Sequence, residues 1–202
     1  MNTNYQIEME KIIDNLKERK KLLIHSCCGP CSSYVLEYLN KYFDITILYF
    51  NSNIYPEAEY KKRLDEQKRL VSKAYQDKIK VVEIGYDHDE YLEYIKGHEE
   101  DTEGGERCHL CYKYRMEKAC IYAKDNNFDY FTTTLSVSPY KNSKVLNEIG
   151  KQLEDKYKMK YLYADFKKKN GYKRSIEISK EYDLYRQNYC GCEFSLRSEI
   201  YE

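Results

Sequence analysis

The sequence predicts an α/β fold, a parallel sheet flanked by helices, and three observations carry that reading. Short apolar runs of strand length alternate with longer segments of helical periodicity. The most apolar run, ITILYF at 45–50, is nearly continuous, as a parallel strand covered on both faces should be. Gly and Pro are few, 8 and 3 in 202 residues, so no linker or low-complexity segment interrupts the pattern. The chain therefore reads as one domain over 1–202, with a helical C-terminal segment that carries Cys190-Gly191-Cys192.

Residues 5–19 read as an amphipathic helix with Met9, Ile12, Ile13 and Leu16 on one stripe. Residues 22–24 form a short buried strand that runs into SCCGPCSS, a turn holding Cys27, Cys28 and Cys31. Gly29 permits close backbone approach there and Pro30 suits a first helical turn. Ser32 and Ser33 then open a helix over about 33–43, with Val35, Leu36, Leu39 and Phe43 inward. The strand at 45–50 ends in the polar loop Asn51-Ser52-Asn53, and Pro56 opens a helix through about Tyr75. A third strand spans 80–84 and a helix 87–96. After the acidic stretch EEDTEGGERC comes Cys108-His109-Leu110-Cys111, followed by a helix to about Asp125 with Met116, Ala119, Cys120 and Ala123 as its stripe. A fourth strand covers 130–135. Ser138 is the expected cap and Pro139 the expected first residue of a helix to about Tyr157. A fifth strand is expected near 160–163, and helix again after Gly171.

Charge is balanced, 34 basic against 34 acidic residues, so no overall field points to nucleic acid or a membrane. Local asymmetry exists: 83–106 holds ten acidic residues and one lysine, and 151–174 holds nine basic residues and three acidic ones. The second block is a candidate phosphate-contacting face, or else a solvated lysine-rich surface. No apolar run is long enough to span a membrane. The N-terminus is charged and helical rather than a signal peptide, so the expected location is cytoplasmic. In that reducing compartment, eight cysteines are metal ligands or redox thiols rather than a disulfide framework.

Cys120 sits on an apolar stripe and reads as a small buried hydrophobe. The other seven cysteines fall in three clusters, Cys27/Cys28/Cys31, Cys108/Cys111 and Cys190/Cys192. A CxxC pair brings two thiolates to one metal without strain, and pairs from separate segments make a four-sulfur site for zinc or an iron–sulfur cluster. Cys108/Cys111 is one pair, and its partners come from Cys27/Cys28/Cys31 or from Cys190/Cys192. Four ligands leave thiols over. A disulfide closed across one residue at Cys190/Cys192 would be cramped, which suits a redox-active pair. Alternatively, Cys31, Cys190 and Cys192 bind a second metal ion. Cys28-Gly29-Pro30-Cys31 after a strand also has the thioredoxin pattern, which keeps a thiol–disulfide oxidoreductase as an alternative, with a zinc-stapled RNA-binding module as another. His25 ends the first strand beside these thiols, either as a donor to sulfur or as packing. The hydroxyl-rich TTTLSVSPYKN offers a phosphate or ribose site at the same sheet edge, or an ordinary strand end and cap.

Together and in this order, LLIHSCCGPC, ERCHLCYKYRM, TTTLSVSPYKN and YRQNYCGCEFS resemble the QueH family of cobalamin-independent epoxyqueuosine reductases. The resemblance implies a fold similar to the adenine-nucleotide α-hydrolase type, with cysteines in the loop where relatives bind nucleotide phosphate. It further implies reduction of the epoxide of epoxyqueuosine in the tRNA anticodon loop to give queuosine. The implied ligands of a 4Fe-4S cluster are Cys27, Cys28, Cys108 and Cys111. The implied redox-active disulfide is Cys190/Cys192, with Cys31, Cys190 and Cys192 available to a second, mononuclear iron. An electron donor, not identified by the sequence, would complete the set of partners. Such chemistry needs two electrons and an acid to remove oxygen as water, and an extruded base stacked on tyrosine suits its substrate.

Overall fold

The computed structural model describes residues 3–200. Helix α1 (Tyr5–Asp14) is capped by the Asn4 side chain. It stops at Asp14 rather than near 19, where the Asn15 amide closes on the Lys11 carbonyl at 2.7 Å. Four parallel strands, β1 (Lys20–His25), β2 (Phe43–Tyr49), β3 (Lys80–Glu83) and β4 (Tyr130–Thr133), pair in the order β3-β2-β1-β4. The helices that follow α1 are α2 (Gly29–Leu39), α3 (Glu57–Tyr75), α4 (His88–Tyr94), α5 (Glu106–Asp125), α6 (Ser143–Tyr157), α7 (Gly171–Glu181) and α8 (Glu193–Ile200). Among the described residues no helix is long and apolar enough to cross a membrane.

Alternation along β1 divides the core. Leu22 and Ile24 face α1, α2 and α7, where they pack with Met9, Val35, Leu36 and Ile178. Leu23 faces α5 and α6, where it joins Met116, Ala119, Cys120, Leu146 and Leu153. Cys120 is thus buried packing, as its stripe predicts, with only a weak contact to the Leu153 carbonyl at 3.9 Å.

Several boundaries move for local reasons. Helix α2 begins at Gly29, not near Ser33, because the Cys28 sulfur caps it by accepting the Cys31 N–H at 3.4 Å. Helix α5 begins at Glu106, so Cys108 and Cys111 lie inside its first turns rather than before it. Strand β4 ends at Thr133, whose hydroxyl accepts the Leu135 N–H and winds a 3₁₀ turn over Thr134–Val137. Ser138 and Pro139 do not start α6. The Ser138 hydroxyl caps a tight turn at Tyr140, and Asn142 is the helix cap. The expected fifth strand is a single parallel bridge, Phe131 to Tyr161. The Asn147 side chain takes both the Ala164 N–H and the Ala164 carbonyl, at 3.0 and 2.9 Å, and so diverts the backbone bonds a longer ladder would use.

The C-terminal segment is held by α3. Glu59, Arg63, Glu66 and Arg69 recur at helical spacing along one face of that helix. Glu66 accepts the Tyr185 N–H at 2.7 Å, Glu59 accepts the Tyr185 hydroxyl, and Arg69 donates to the carbonyls of Tyr182 and Asp183. Arg63, only 1 % exposed, donates to the Tyr189 and Cys190 carbonyls at 3.5 and 3.1 Å while pairing with Glu59. Cys190-Gly191-Cys192 therefore lies in a docked loop that leads into α8. Replacing Arg63 leaves the half-buried Glu59 carboxylate with only the Tyr185 hydroxyl and leaves the Tyr189 and Cys190 carbonyls without their arginine donor, a loss of about 3 kcal/mol. Arg63→Met is accordingly expected to lower the urea midpoint and to make the segment between Tyr182 and Cys192 the first site of limited proteolysis; equal resistance in the two proteins would contradict the docking role.

Candidate metal and redox site

Strand β1 is where the sheet order reverses, with β2 on one side and β4 on the other. In open parallel sheets the crevice beyond the carboxyl ends of such strands is the natural ligand site. A cavity of about 540 Å³ occupies that place. The loop after β1 supplies Cys27, Pro30 and Cys31, the segment after β4 supplies Leu135 and Val137 to Lys141, and the docked tail adds Gln187, Tyr189 and Cys190. Arg115 reaches the same wall from α5.

The sulfurs of Cys27, Cys28 and Cys31 lie within 4.8 Å of one another, and among the described residues they form the one such trio of metal-ligating groups. Cys27 and Cys28 sulfurs are 3.8 Å apart. Cys28 receives two N–H groups, from the Cys31 backbone and from Gln187 Nε2 at 3.0 Å. Contacts from Cys28 and Cys31 hold the Cys27 thiol well below its usual range, whereas burial pushes Cys28 up to about 12. Within the trio it is Cys27 that is biased toward thiolate.

Cys108 and Cys111 lie on one face of α5, one turn apart. The Gly104 N–H bonds the Cys108 sulfur at 3.3 Å. Cys190 stands between the two groups: its charge acts on Cys27 on one side and on Cys108 and Cys111 on the other. Lys141 Nζ is 3.5 Å from the Cys190 sulfur. Contact with Cys192, helped by Lys141 and Arg115, holds Cys190 well below the usual thiol range, and the same contact with burial pushes Cys192 up. The pair is thereby polarised, with Cys190 biased toward thiolate and Cys192 toward thiol. Cys27, Cys31 and Cys190 wall the cavity, Cys108 and Cys111 do not line it, and the close trio draws on the first cluster alone.

His25 is buried at the end of β1 and burial pushes its pKa down to about 4, so the ring is neutral. Its Nε2 faces the Phe50 carbonyl, which only accepts, so that nitrogen carries the proton and Nδ1 accepts from the Thr133 hydroxyl. The ring braces two strand ends and does not donate to sulfur. Four of the nine basic residues at 151–174 are committed within the chain. Lys156 pairs with Glu117, Lys169 with Glu10 and Arg174 with Glu37, while Lys167 Nζ is turned onto the Ser136 and Lys141 carbonyls. Sequence reasoning named the cysteines but missed Arg63, Arg115, Lys141 and Gln187. The last three fall inside the motif segments ERCHLCYKYRM, TTTLSVSPYKN and YRQNYCGCEFS.

Gly191 has φ +115°, a conformation nearly reserved for glycine, and a Cβ there would stand 2.9 Å from Arg63 Nη1. The glycine between Cys190 and Cys192 is thus required both by backbone and by the arginine that holds the loop. Gly191→Ala is expected to cost about 2 kcal/mol of stability and to raise the labelling rate of Cys190 by a thiol reagent several-fold. An unchanged labelling rate would show that the loop tolerates the side chain.

Comparison with known proteins agrees with this arrangement in its extent along the chain. The sequence model of the family described as "Epoxyqueuosine reductase QueH" matches residues 22–198, which takes in all seven clustered cysteines. A protein of that name from Streptococcus pyogenes serotype M1 is 40 % identical over 209 residues, covering 98 % of this chain and 82 % of the relative. One from Staphylococcus epidermidis is 40 % identical over 95 % of this chain and 84 % of its own length. One from Thermotoga maritima is 33 % identical over 87 % and 90 %. By the match along most of its length, this chain belongs to the QueH family of epoxyqueuosine reductases.

Proposed function

We propose that this protein is an epoxyqueuosine reductase that converts the epoxide of epoxyqueuosine, carried in a tRNA anticodon loop, to the alkene of queuosine. The observation that carries the reading is the cavity at the sheet's switch point, walled by thiols from two of the three cysteine segments, with the third just behind, in a chain of this family. Opening an epoxide to an alkene consumes two electrons and two protons and releases water. Oxidation of the Cys190 thiolate and the Cys192 thiol to a disulfide yields two electrons and one proton; the Lys141 ammonium beside Cys190 supplies the second proton, and an external electron donor would restore the dithiol. Cys190, held as thiolate beside Lys141, is the sulfur suited to begin that exchange, and Cys192 is the thiol that carries the proton.

The donor set suits a sulfur-ligated metal group. Cys28 already has two N–H donors aimed at its sulfur, the environment of a sulfur that carries charge, and the Cys27 thiol is held well below its usual range. We assign Cys27, Cys28, Cys108 and Cys111 as the residues that would hold a 4Fe-4S cluster, which when bound supplies electrons to the site. Cys31, with Cys190 and Cys192, is left for a second iron.

Around the thiols the cavity offers Tyr172, Tyr189, Leu135 and Val137 as walls for a nucleoside, and Lys141 Nζ as a charged donor near the floor. Its volume of about 540 Å³ falls in the range of small-molecule sites. Tyr140, on the turn fixed by Ser138 and by Lys167, is 82 % exposed at the mouth. That ring is placed to stack on a base beside the extruded nucleotide.

Nucleoside mass spectrometry of tRNA carrying epoxyqueuosine, after incubation with iron-reconstituted protein and a reductant, is expected to show loss of one oxygen atom from the modified base. Cys190→Ser should bind the tRNA and leave the epoxide intact. Persistence of the epoxide with the wild-type protein at full iron content would reject the assignment. Tyr140→Ala should raise KM for tRNA by about 5- to 100-fold with little change in kcat, and Tyr140→Phe should restore it; equal KM values for all three proteins would remove Tyr140 from the binding surface.

A further inference from the structure

Arg115 follows Cys111 by one helical turn on α5, so both project from the same face. It is 1 % exposed. Its Nε donates to the Cys111 carbonyl at 3.2 Å. Its Nη2 has less than 1 Å² of accessible surface and no hydrogen-bond partner. A buried charge without a counter-charge is strongly disfavoured, and a buried donor left unpaired costs about 1–3 kcal/mol or more when charged. The acidic groups that act most on the guanidinium are the thiols of Cys111, Cys190 and Cys27 and the Tyr112 phenol, with no carboxylate among them. Because Nη2 is sealed, its acceptor belongs to the wall itself rather than to a substrate in the open cavity. Lys141, the other cation at these thiols, already has the Cys190 sulfur as its partner.

We propose that Arg115 is a positioning residue for the cysteine-held metal centre, its free Nη2 donating to sulfur of that centre and its charge favouring the reduced state. The inference rests on the reading above only in that a metal group is held by these cysteines. Its physical basis is simple. Reduction adds negative charge, and a fixed cation buried beside the centre stabilises that charge, as do hydrogen bonds to the sulfurs. Removing the cation must therefore make reduction harder. Arg115→Lys keeps the charge, while Arg115→Gln removes it and keeps a polar side chain of similar reach.

The test is a potentiometric titration of the iron-reconstituted full chain under anaerobic conditions, followed by visible absorbance. Arg115→Gln is expected to shift the reduced-to-oxidised ratio at a fixed potential at least tenfold toward oxidised, which is a midpoint about 59 mV more negative for a one-electron couple. Arg115→Lys should stay within about threefold of wild type. An unchanged midpoint in Arg115→Gln, or equal shifts in both variants, overturns the proposal. If Arg115→Gln takes up no iron, thermal melting of the iron-free proteins decides: a melting temperature equal to wild type supports a role toward the metal group, and a lowered one overturns it in favour of a structural tie. Should wild type bind zinc and not iron, the iron reading fails by itself. Zinc affinity then serves as the readout, with a tenfold weakening in Arg115→Gln but not in Arg115→Lys expected, and equal affinities overturning the proposal. Failure of wild type to bind either metal rejects both.

Discussion

The site depends on a buried guanidinium that grips the backbone of a distant segment. Arg63 spends its donors on the Glu59 carboxylate and on two successive carbonyls, those of Tyr189 and Cys190. That grip helps hold the Cys190/Cys192 loop against the first strand-loop of the sheet, more than a hundred residues earlier in the chain. The Tyr55 N–H adds a bond to the Gly191 carbonyl at 2.8 Å, and the Gln187 amide completes the seam by reaching Cys28. A charged row on a long helix is usually a solvated face. Here each member of the row has a backbone or hydroxyl partner in the tail, and burial makes those bonds worth more than surface ion pairs.

Two buried arginines near one cavity show two solutions to the same electrostatic problem. Arg63 is neutralised by a carboxylate and by carbonyl dipoles, which makes it a structural clamp. Arg115 meets one carbonyl and otherwise only sulfur and phenol groups. A guanidinium in that setting both needs anionic sulfur and favours it, so the cation and the thiolates stabilise each other. The same reciprocity holds at Lys141 and Cys190. The result is a wall on which Cys27 and Cys190 are biased toward thiolate, while burial and neighbouring sulfur bias Cys28, Cys31, Cys108, Cys111 and Cys192 toward thiol.

Much of this was legible in the sequence because it rests on local pattern. The alternation of apolar strands with helices gave the parallel sheet, and the stripe containing Cys120 separated that cysteine from the seven others. What stayed hidden rests on side chains that bond to distant backbone. Nothing in the periodicity of 160–163 reveals that Asn147 will intercept the Ala164 backbone and leave a bridge where a strand was expected. Ser138-Pro139 has the chemistry of a helix start, yet its hydroxyl closes a turn and Asn142 does the capping. The lysine-rich block reads as a phosphate-binding face only while its acidic partners, Glu10, Glu37 and Glu117, lie far away in sequence. Arg115 looks like one more charged residue on a mixed helix until the fold buries it among the thiols.

These differences redirect the search for the nucleic-acid contact. Lys167, drawn onto the Ser136 and Lys141 carbonyls, stiffens the segment after β4. That segment carries Lys141 inward to Cys190 and Tyr140 outward into solvent on adjacent residues. Under the proposed function, a stiff turn with a charged donor inside and an aromatic ring outside would couple two tasks: the ring would offer a replacement stacking surface at the mouth, and the inward residue would meet the extruded group at the thiol wall. The specificity of such a site comes from the fixed separation of those two side chains more than from net charge, which fits a chain whose overall charge is zero.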